Sequence, residues 1–246
     1  MNTILITGAS SGYGRETALY FHEQGWNVIA TMRNPSAADL PESERMRVLQ
    51  LDVTDPDSIS AALGAAGPFD VLVNNAGIGA VGIFEAMTME RVRRIFETNT
   101  FGVMAVTHAA VPLLRAQGSG LVINVTSSVV LGHMPLVSVY KASKMAVEGF
   151  TASLALELEA VGLEAKIVQP GYCPTTRFAA NVGPVDEFLL EPYSAFSDKI
   201  LGEFAHQEAV TTERHIAEAV WRAAHDTTGQ LRFPAGPDSV SMAQAR

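Results

Sequence analysis

The chain is poor in cysteine, with Cys173 alone among 246 residues. An intrachain disulfide framework is therefore excluded, and the composition fits a reducing compartment. Positive charge is also scarce: 17 Lys and Arg stand against 26 Asp and Glu, a formal net charge of −9. Nucleic acid and anionic membrane surfaces are poor partners for such a chain, because neither attracts it electrostatically. Long apolar runs are missing too. No segment approaches the ~20 residues needed to cross a bilayer. No basic stretch leads into an apolar run of the secretory kind. The expectation is a cytoplasmic protein with no membrane or nucleic-acid partner. Charge blocks, tandem repeats, low-complexity tracts and linkers are absent as well, so one domain over 1–246 is expected. No metal site is expected.

What is present is a rhythm. The chain is 48% hydrophobic and 17% charged, enough to bury a substantial core. Short β-rich runs occur at Thr3–Thr7, Asn27–Thr31, Arg47–Leu51, Asp70–Asn74, Gly120–Val125 and Glu164–Gln169, with a shorter run at Leu231–Phe233. They are mostly apolar rather than alternating, as strands buried on both faces are. Helical stretches at Arg15–Gln24, Asp57–Ala66, Met89–Gln117, Ser138–Val161 and Thr212–His225 lie among them. Alternation of this kind predicts an α/β fold: a doubly wound parallel β-sheet with helices on both faces. The stretch Gly171–Val210 breaks the rhythm. It is rich in Pro and aromatics, has no clear strand, and is expected to be a substrate-binding loop or lid.

The first strand runs into "TGASSGYG", with Gly8, Gly12 and Gly14 opening a predicted helix. A strand-to-helix turn offers free backbone N–H groups and the positive end of a helix dipole. Glycines let the backbone turn tightly and let a diphosphate approach, and Ser10 and Ser11 add hydroxyl donors. The competing reading is a tight βα turn with no ligand.

The end of the second strand separates two cofactors. An acid about 20 residues past the loop holds the ribose 2′-hydroxyl in NAD-binding folds. Here "ATMRNP" has no acid and offers Arg33, whose guanidinium suits a 2′-phosphate. NADP (NADPH) is therefore favoured, NAD remaining possible; a solvated surface arginine is the alternative. Asp52, with Val53 beside it, follows the third strand and is a candidate partner for an adenine amino group, or else part of a helix cap. "NAG", Asn75–Gly77, ends the fourth strand as a close-approach turn beside a flat ligand.

"YKASK" sets Tyr140 and Lys144 at i and i+4, on one face of a helix. A tyrosine with a pKa near ~10 is a poor acid–base group at neutral pH, and a nearby ammonium lowers that value. Tyr140 is thus a candidate general acid for a carbonyl, or base for an alcohol. Upstream, Ser127 in "NVTSS" is placed to hydrogen-bond a substrate oxygen, with Ser128 adjoining. Asn99 falls inside a long predicted helix, at a possible local distortion. Each feature alone has an ordinary structural explanation: a solvated helix face, a loop serine, a polar helix residue.

Together they resemble the short-chain dehydrogenase/reductase family in its compact form of about 250 residues. The resemblance runs from Thr7–Gly14 through Asp52, Asn75–Gly77, Asn99, Ser127 and Tyr140–Lys144 to the P-G-x-x-x-T of Pro170–Thr175. It implies a Rossmann-like sheet and hydride transfer between a nicotinamide and a carbonyl carbon. It also implies roles. Tyr140 moves the proton, and Lys144 lowers its pKa and binds the nicotinamide ribose. Ser127 orients the substrate oxygen, and Asn99 holds a water in a proton relay. Gly8, Ser10, Ser11, Gly12, Tyr13, Gly14, Pro170, Gly171, Tyr172 and Thr175 surround the cofactor. A homodimer or homotetramer, built through the long helices, is the expected assembly. Tyr13 departs from the pattern, which usually has a small aliphatic residue there.

For substrate, Tyr172, Phe178, Val182, Phe188, Leu189, Leu190, Tyr193 and Phe196, with His133, Met134 and Val137, are expected to converge on an apolar pocket. A medium-sized hydrophobic ketone or secondary alcohol follows, unless those side chains are core or dimer contacts. The competing functions are a non-catalytic nucleotide sensor, an NAD-dependent alcohol dehydrogenase, and a sugar-nucleotide epimerase or dehydratase.

Overall fold

The structure, a computed structural model, describes residues 2–176, 189–205 and 211–245. Seven strands form one parallel sheet: β1 (Thr3–Thr7), β2 (Asn27–Met32), β3 (Met46–Gln50), β4 (Val71–Asn74), β5 (Leu121–Val125), β6 (Glu164–Pro170) and β7 (Arg232–Ala235). Their order is β3-β2-β1-β4-β5-β6-β7. β1 pairs with β2 through Ile4 opposite Val28, and with β4 through Ile4 opposite Val71. The sheet therefore grows outward in both directions from the β1/β4 seam. The strand order reverses there, and a crevice opens beyond the strands' carboxyl ends.

Among the described residues the helices are α1 (Gly12–Glu23), α2 (Pro56–Ala66), α3 (Met89–Phe96), α4 (Gly102–Gln117), α5 (Ser138–Glu159), α6 (Ser194–Ala205), α7 (Glu213–His225) and α8 (Pro237–Gln244). The pleat divides the apolar strands between two cores. Ile4, Ile6, Val28, Val73 and Ile123 face Phe21 of α1 and Ile216 and Val220 of α7. Leu5, Ile29, Leu72 and Val122 face Leu63 of α2, Val106 and Leu114 of α4, and Leu158 of α5. Side chains on both faces are apolar, which is why the strands read as continuous hydrophobic runs. Phe21 is fully buried and meets Trp26 edge-on at 5.0 Å and Trp221 at 5.2 Å. Burying one such ring stabilises the fold by roughly 1.5–3 kcal/mol.

A polar ladder crosses the second core. Asn74 Nδ2 donates to Thr107 Oγ1 and to Asn124 Oδ1, both at 2.9 Å, and Asn124 Nδ2 donates to Thr151 Oγ1 at 2.8 Å. It fixes β4 and β5 against α4 and α5, close to the sheet's carboxyl edge.

Three expectations change. The single helix expected over Met89–Gln117 is broken by a π-helical turn at Glu97–Phe101. Gly171–Val210 is not wholly irregular, because α6 lies inside it; residues 177–188 and 206–210 of that stretch lie outside the described residues. The last strand, expected at Leu231–Phe233, runs instead over Arg232–Ala235, and α8 follows it with Pro237 in its first turn.

Candidate active site

A cavity of about 840 Å3 lies over the carboxyl ends of β1 to β5. It falls within the range of about 300–1,000 Å3 usual for ligand sites. The glycine loop forms one wall. α1 begins at Gly12, its N-cap Ser11 is extended, and among the described residues no side chain caps its N–H groups; its first turn holds no acid. That leaves the free donors of a helix N-terminus facing the crevice, as an anion requires. Glycine is obligatory here for two different reasons. Gly8 has φ +70, and a Cβ on it would meet Ala76 Cα at 2.7 Å. A Cβ on Gly14 would lie 2.4 Å from Asn75 Nδ2 and 2.5 Å from the Gly8 carbonyl oxygen.

The loop is laced to β4. Thr7 Oγ1 accepts from the backbone N–H of Asn75 (3.0 Å) and Ala76 (3.1 Å), while Asn75 Nδ2 donates to the Thr7 and Gly8 carbonyls at 2.9 and 3.2 Å. Asn75 and Ala76 line the cavity, but the Asn75 amide is spent on holding the loop. Gly8, Ser10, Ser11, Gly12, Tyr13, Arg33, Asp52, Val53 and Gly77 line it as well.

Arg33 is exposed at the end of β2, where the sequence placed it. Asp52 is not the cap of α2; Asp55 fills that role by accepting from Asp57 N at 2.9 Å. Asp52 Oδ1 instead accepts from Thr54 N at 3.0 Å and Thr54 Oγ1 at 2.8 Å. Partial burial works against its charge, but the Thr54 hydrogen bonds and the Arg33 guanidinium hold its carboxyl below the usual range.

Tyr13 is also explained. Its hydroxyl donates to the Gly171 carbonyl at 3.1 Å, tying the glycine loop to the segment after β6. That segment corrects one expectation. A turn brings Thr176 back onto the Cys173 carbonyl, at 2.9 Å through its hydroxyl, so Thr176 lines the cavity beside Gly12. Thr175 turns away and donates to Glu213 Oε1 of α7 at 2.8 Å. Pro170, Gly171 and Tyr172 are not among the cavity-lining residues. Tyr172 N–H and Thr211 Oγ1 both donate to the carboxylate of Asp238, which gives α8 its place beside the loop.

Tyr140 and Lys144 lie one turn apart on α5 and both line the cavity. Burial pushes the Tyr140 phenol up to about 12, and a hydrogen bond with Ser127 opposes that shift. Burial likewise pulls Lys144 down to about 8. In the cofactor-free protein desolvation is the largest influence on both groups. Lys144 Nζ donates to the Val125 carbonyl at 2.9 Å. At neutral pH Tyr140 is a protonated phenol, suited to donate to a carbonyl oxygen. Ser127 caps the short turn at Ser128–Val130, its Oγ accepting from Val129 N at 3.3 Å; Ser128 is buried.

Asn99 sits in the π-helical turn and is fully buried. Its Oδ1 accepts from Ile78 N at 2.8 Å, and its Nδ2 donates to the Ile78 carbonyl at 2.9 Å and to Ser143 Oγ at 3.1 Å. The side chain the resemblance assigned to a water is thus engaged by protein. It clasps the segment after Gly77 onto α5, close to Lys144: a Cβ on Gly77 would lie 3.3 Å from Asn99 Oδ1 and 3.5 Å from Lys144 Nζ.

The substrate side chains divide. Met134 and Val137 pack in the core against Tyr140, and Leu189 and Leu190 pack against Ile83, Leu136 and Ile200. Tyr193 donates to Glu85 Oε2 at 2.9 Å. Tyr172, Phe196 and His133 are exposed. Phe178, Val182 and Phe188 lie outside the described residues.

Comparison with known proteins agrees with this geometry. The family model described as short chain dehydrogenase matches residues 2–185. An uncharacterized oxidoreductase of Bacillus subtilis is 35% identical over 94% of this chain and 88% of its own length. The 3-ketodihydrosphingosine reductase of Bacteroides thetaiotaomicron is 41% identical over 68% of this chain and 62% of its own. A short-chain dehydrogenase of Streptomyces avermitilis superposes with a TM-score of 0.84 at 33% identity, covering 99% of this chain and 91% of the other. Two solved complexes are 25% identical. Serine dehydrogenase with NADP+ has a TM-score of 0.79 (96% and 95% covered), and the Brucella melitensis 3-ketoacyl-(acyl-carrier-protein) reductase with NADH has 0.77 (95% and 96%).

Proposed function

The chain belongs to the short-chain dehydrogenase/reductase family and is an NAD(P)-dependent oxidoreductase, and from that premise we propose that it uses NADP(H) to interconvert a hydrophobic ketone or aldehyde with its alcohol. The observation that carries the reading is the opening of Tyr140 and Lys144 into the same cavity as the glycine loop, Arg33 and Asp52. The residues present fit the cofactor. The uncapped start of α1 suits a diphosphate, Asp52 an adenine amino group, and Arg33 a 2′-phosphate. The bound nicotinamide supplies the hydride; the protein supplies position and the proton.

Tyr140 gives its phenolic proton to the substrate oxygen, and Ser127 donates a second hydrogen bond to that oxygen. Lys144 binds beside them and offsets the charge left on Tyr140. The protonated phenol is the form needed to donate to a carbonyl oxygen during reduction. Asn99 keeps the Gly77–Ile78 segment against α5 so that the site stays closed behind Lys144. Residues 171–210 act as the substrate loop, and the name of the Bacteroides relative supports a hydrophobic carbonyl compound. Exposed Phe101, Leu113, Met145 and Leu156 on and beside α4 and α5 support assembly of two or four copies through those helices.

The reading is tested by NADPH oxidation at ~340 nm against a panel of carbonyl compounds. Turnover concentrated on hydrophobic ketones and aldehydes is expected. Cofactor binding without turnover on any carbonyl would favour the sensor. Turnover confined to small charged compounds would remove the substrate class.

A further inference from the structure

One buried acid is left over by this chemistry. Glu148 is on α5 one turn beyond Lys144 and two beyond Tyr140, on the same face, and is 6% exposed. A buried carboxylate is destabilising unless its oxygens are well supplied with donors. Here Oε1 accepts from Thr126 Oγ1 at 2.8 Å and Gln169 Nε2 at 3.0 Å, and Oε2 accepts from Arg232 Nε at 3.0 Å.

The position of Thr126 decides what this network is for. It stands between Val125, whose carbonyl receives the Lys144 ammonium, and Ser127, the hydrogen-bond partner of Tyr140. Its backbone N–H is anchored to the Val168 carbonyl of β6 at 2.8 Å. Its hydroxyl donates at 2.8 Å to Glu148 on the helix that carries Tyr140 and Lys144, the Val168 carbonyl being a longer second acceptor at 3.3 Å. The residue holding both catalytic partners is therefore itself held by the catalytic helix.

We propose that Glu148 is a positioning residue: through Thr126 it sets the carboxyl end of β5 so that the Val125 carbonyl meets Lys144 and Ser127 meets Tyr140. The ion pair to Arg232 is the outer leg of the network, reaching the edge strand β7. The rate prediction rests on the oxidoreductase reading above; the positional prediction does not.

The test has a readout that needs no turnover. The chain has four lysines, Lys141, Lys144, Lys166 and Lys199. Lysine labelled at the ε-carbon therefore gives few NMR signals, and Lys144→Met assigns the one of interest. In cofactor-free protein the Lys144 signal should titrate near pH 8. Thr126→Val removes the hydroxyl but no charge. It should loosen the Val125 acceptor and move that midpoint down by about half a pH unit or more. With an accepted carbonyl substrate it should lower kcat about tenfold while the KM for cofactor stays within about twofold. Glu148→Leu should do the same. Arg232→Gln, which breaks only the outer leg, should leave both readouts at wild type. An unmoved Lys144 midpoint in Thr126→Val overturns the proposal. So does an Arg232→Gln variant that reproduces the full effect, because Glu148 would then be an anchor for β7. If wild type reduces no carbonyl at all, the functional reading falls while the Lys144 titration still decides this one.

Discussion

Replacing Lys144 by methionine should stabilise the cofactor-free protein at pH 7 while destroying its activity. Lys144 is 4% exposed, and its burial moves its pKa from 10.5 to about 8. At pH 7 the folded protein still carries the ammonium, so it bears the burial penalty. The gap between the two values corresponds to about 3 kcal/mol. The sign follows from the lowered folded value. The penalty is present in full below pH 8 and is relieved as pH rises from 8 toward 10.5, where the unfolded chain binds the extra proton. Methionine keeps an unbranched chain and removes the charge. Against that gain, the Val125 carbonyl loses its donor, a loss of about 1–3 kcal/mol. A net gain of about 0–2 kcal/mol at pH 7 is expected. The pH dependence is sharper than the net value, because the lost hydrogen bond does not titrate. Between pH 7 and pH 9.5 wild type should gain about 2 kcal/mol relative to Lys144→Met. Urea unfolding of both proteins at the two pH values measures it. A difference between them that does not change with pH would mean that no strained ammonium is buried at this position.

Three further outcomes follow from the same geometry. Arg33→Ala should raise the KM for NADPH at least about tenfold more than that for NADH; equal effects would mean that Arg33 holds no 2′-phosphate. Gly14→Ala should abolish cofactor binding measured by NADPH fluorescence, because its Cβ would meet Asn75 Nδ2 at 2.4 Å and the Gly8 carbonyl at 2.5 Å; normal affinity would remove the glycine loop from the site. Light scattering should report a dimer or tetramer, and Leu156→Glu, at a side chain 72% exposed, should shift it toward monomer; a monomeric wild type would remove the assembly.

The sheet was legible because its strands are apolar on both faces, and β1 was predicted residue for residue at Thr3–Thr7. The glycine loop, Arg33, Asp52, Tyr140 and Lys144 were legible because their chemistry is carried by residue type and short spacing. They meet at one cavity because all but the helix pair leave the carboxyl ends of adjacent strands. What stayed hidden depends on contacts between distant segments. The π-helical turn at Glu97–Phe101 adds no break to the apolar pattern, and only Asn99, a mediocre helix former, pointed to a distortion there. Tyr13 reaches a carbonyl 158 residues away, and no local pattern reports that. The Pro-Gly-x-x-x-Thr spacing pointed to Thr175, but the backbone turn at Cys173 brings Thr176 to the cavity instead. Helical spacing shows a neighbour of Tyr140 but not the depth of its burial, the largest influence on its pKa in the cofactor-free protein. Glu148 could have been noticed as the next step of the Tyr140–Lys144 face; nothing in the sequence marked it as buried.

In the proposed reaction a bound nicotinamide would supply the hydride and Tyr140 the proton of the alcohol. The direct measurement uses NADPH carrying deuterium at both hydrogens of the transferring carbon of the nicotinamide, with an accepted ketone, comparing wild type with Tyr140→Phe. The alcohol formed by wild type should carry one deuterium, and Tyr140→Phe should bind the cofactor as tightly yet turn over at least about 100-fold more slowly. An alcohol without deuterium, or a Tyr140→Phe enzyme as fast as wild type, would contradict the account.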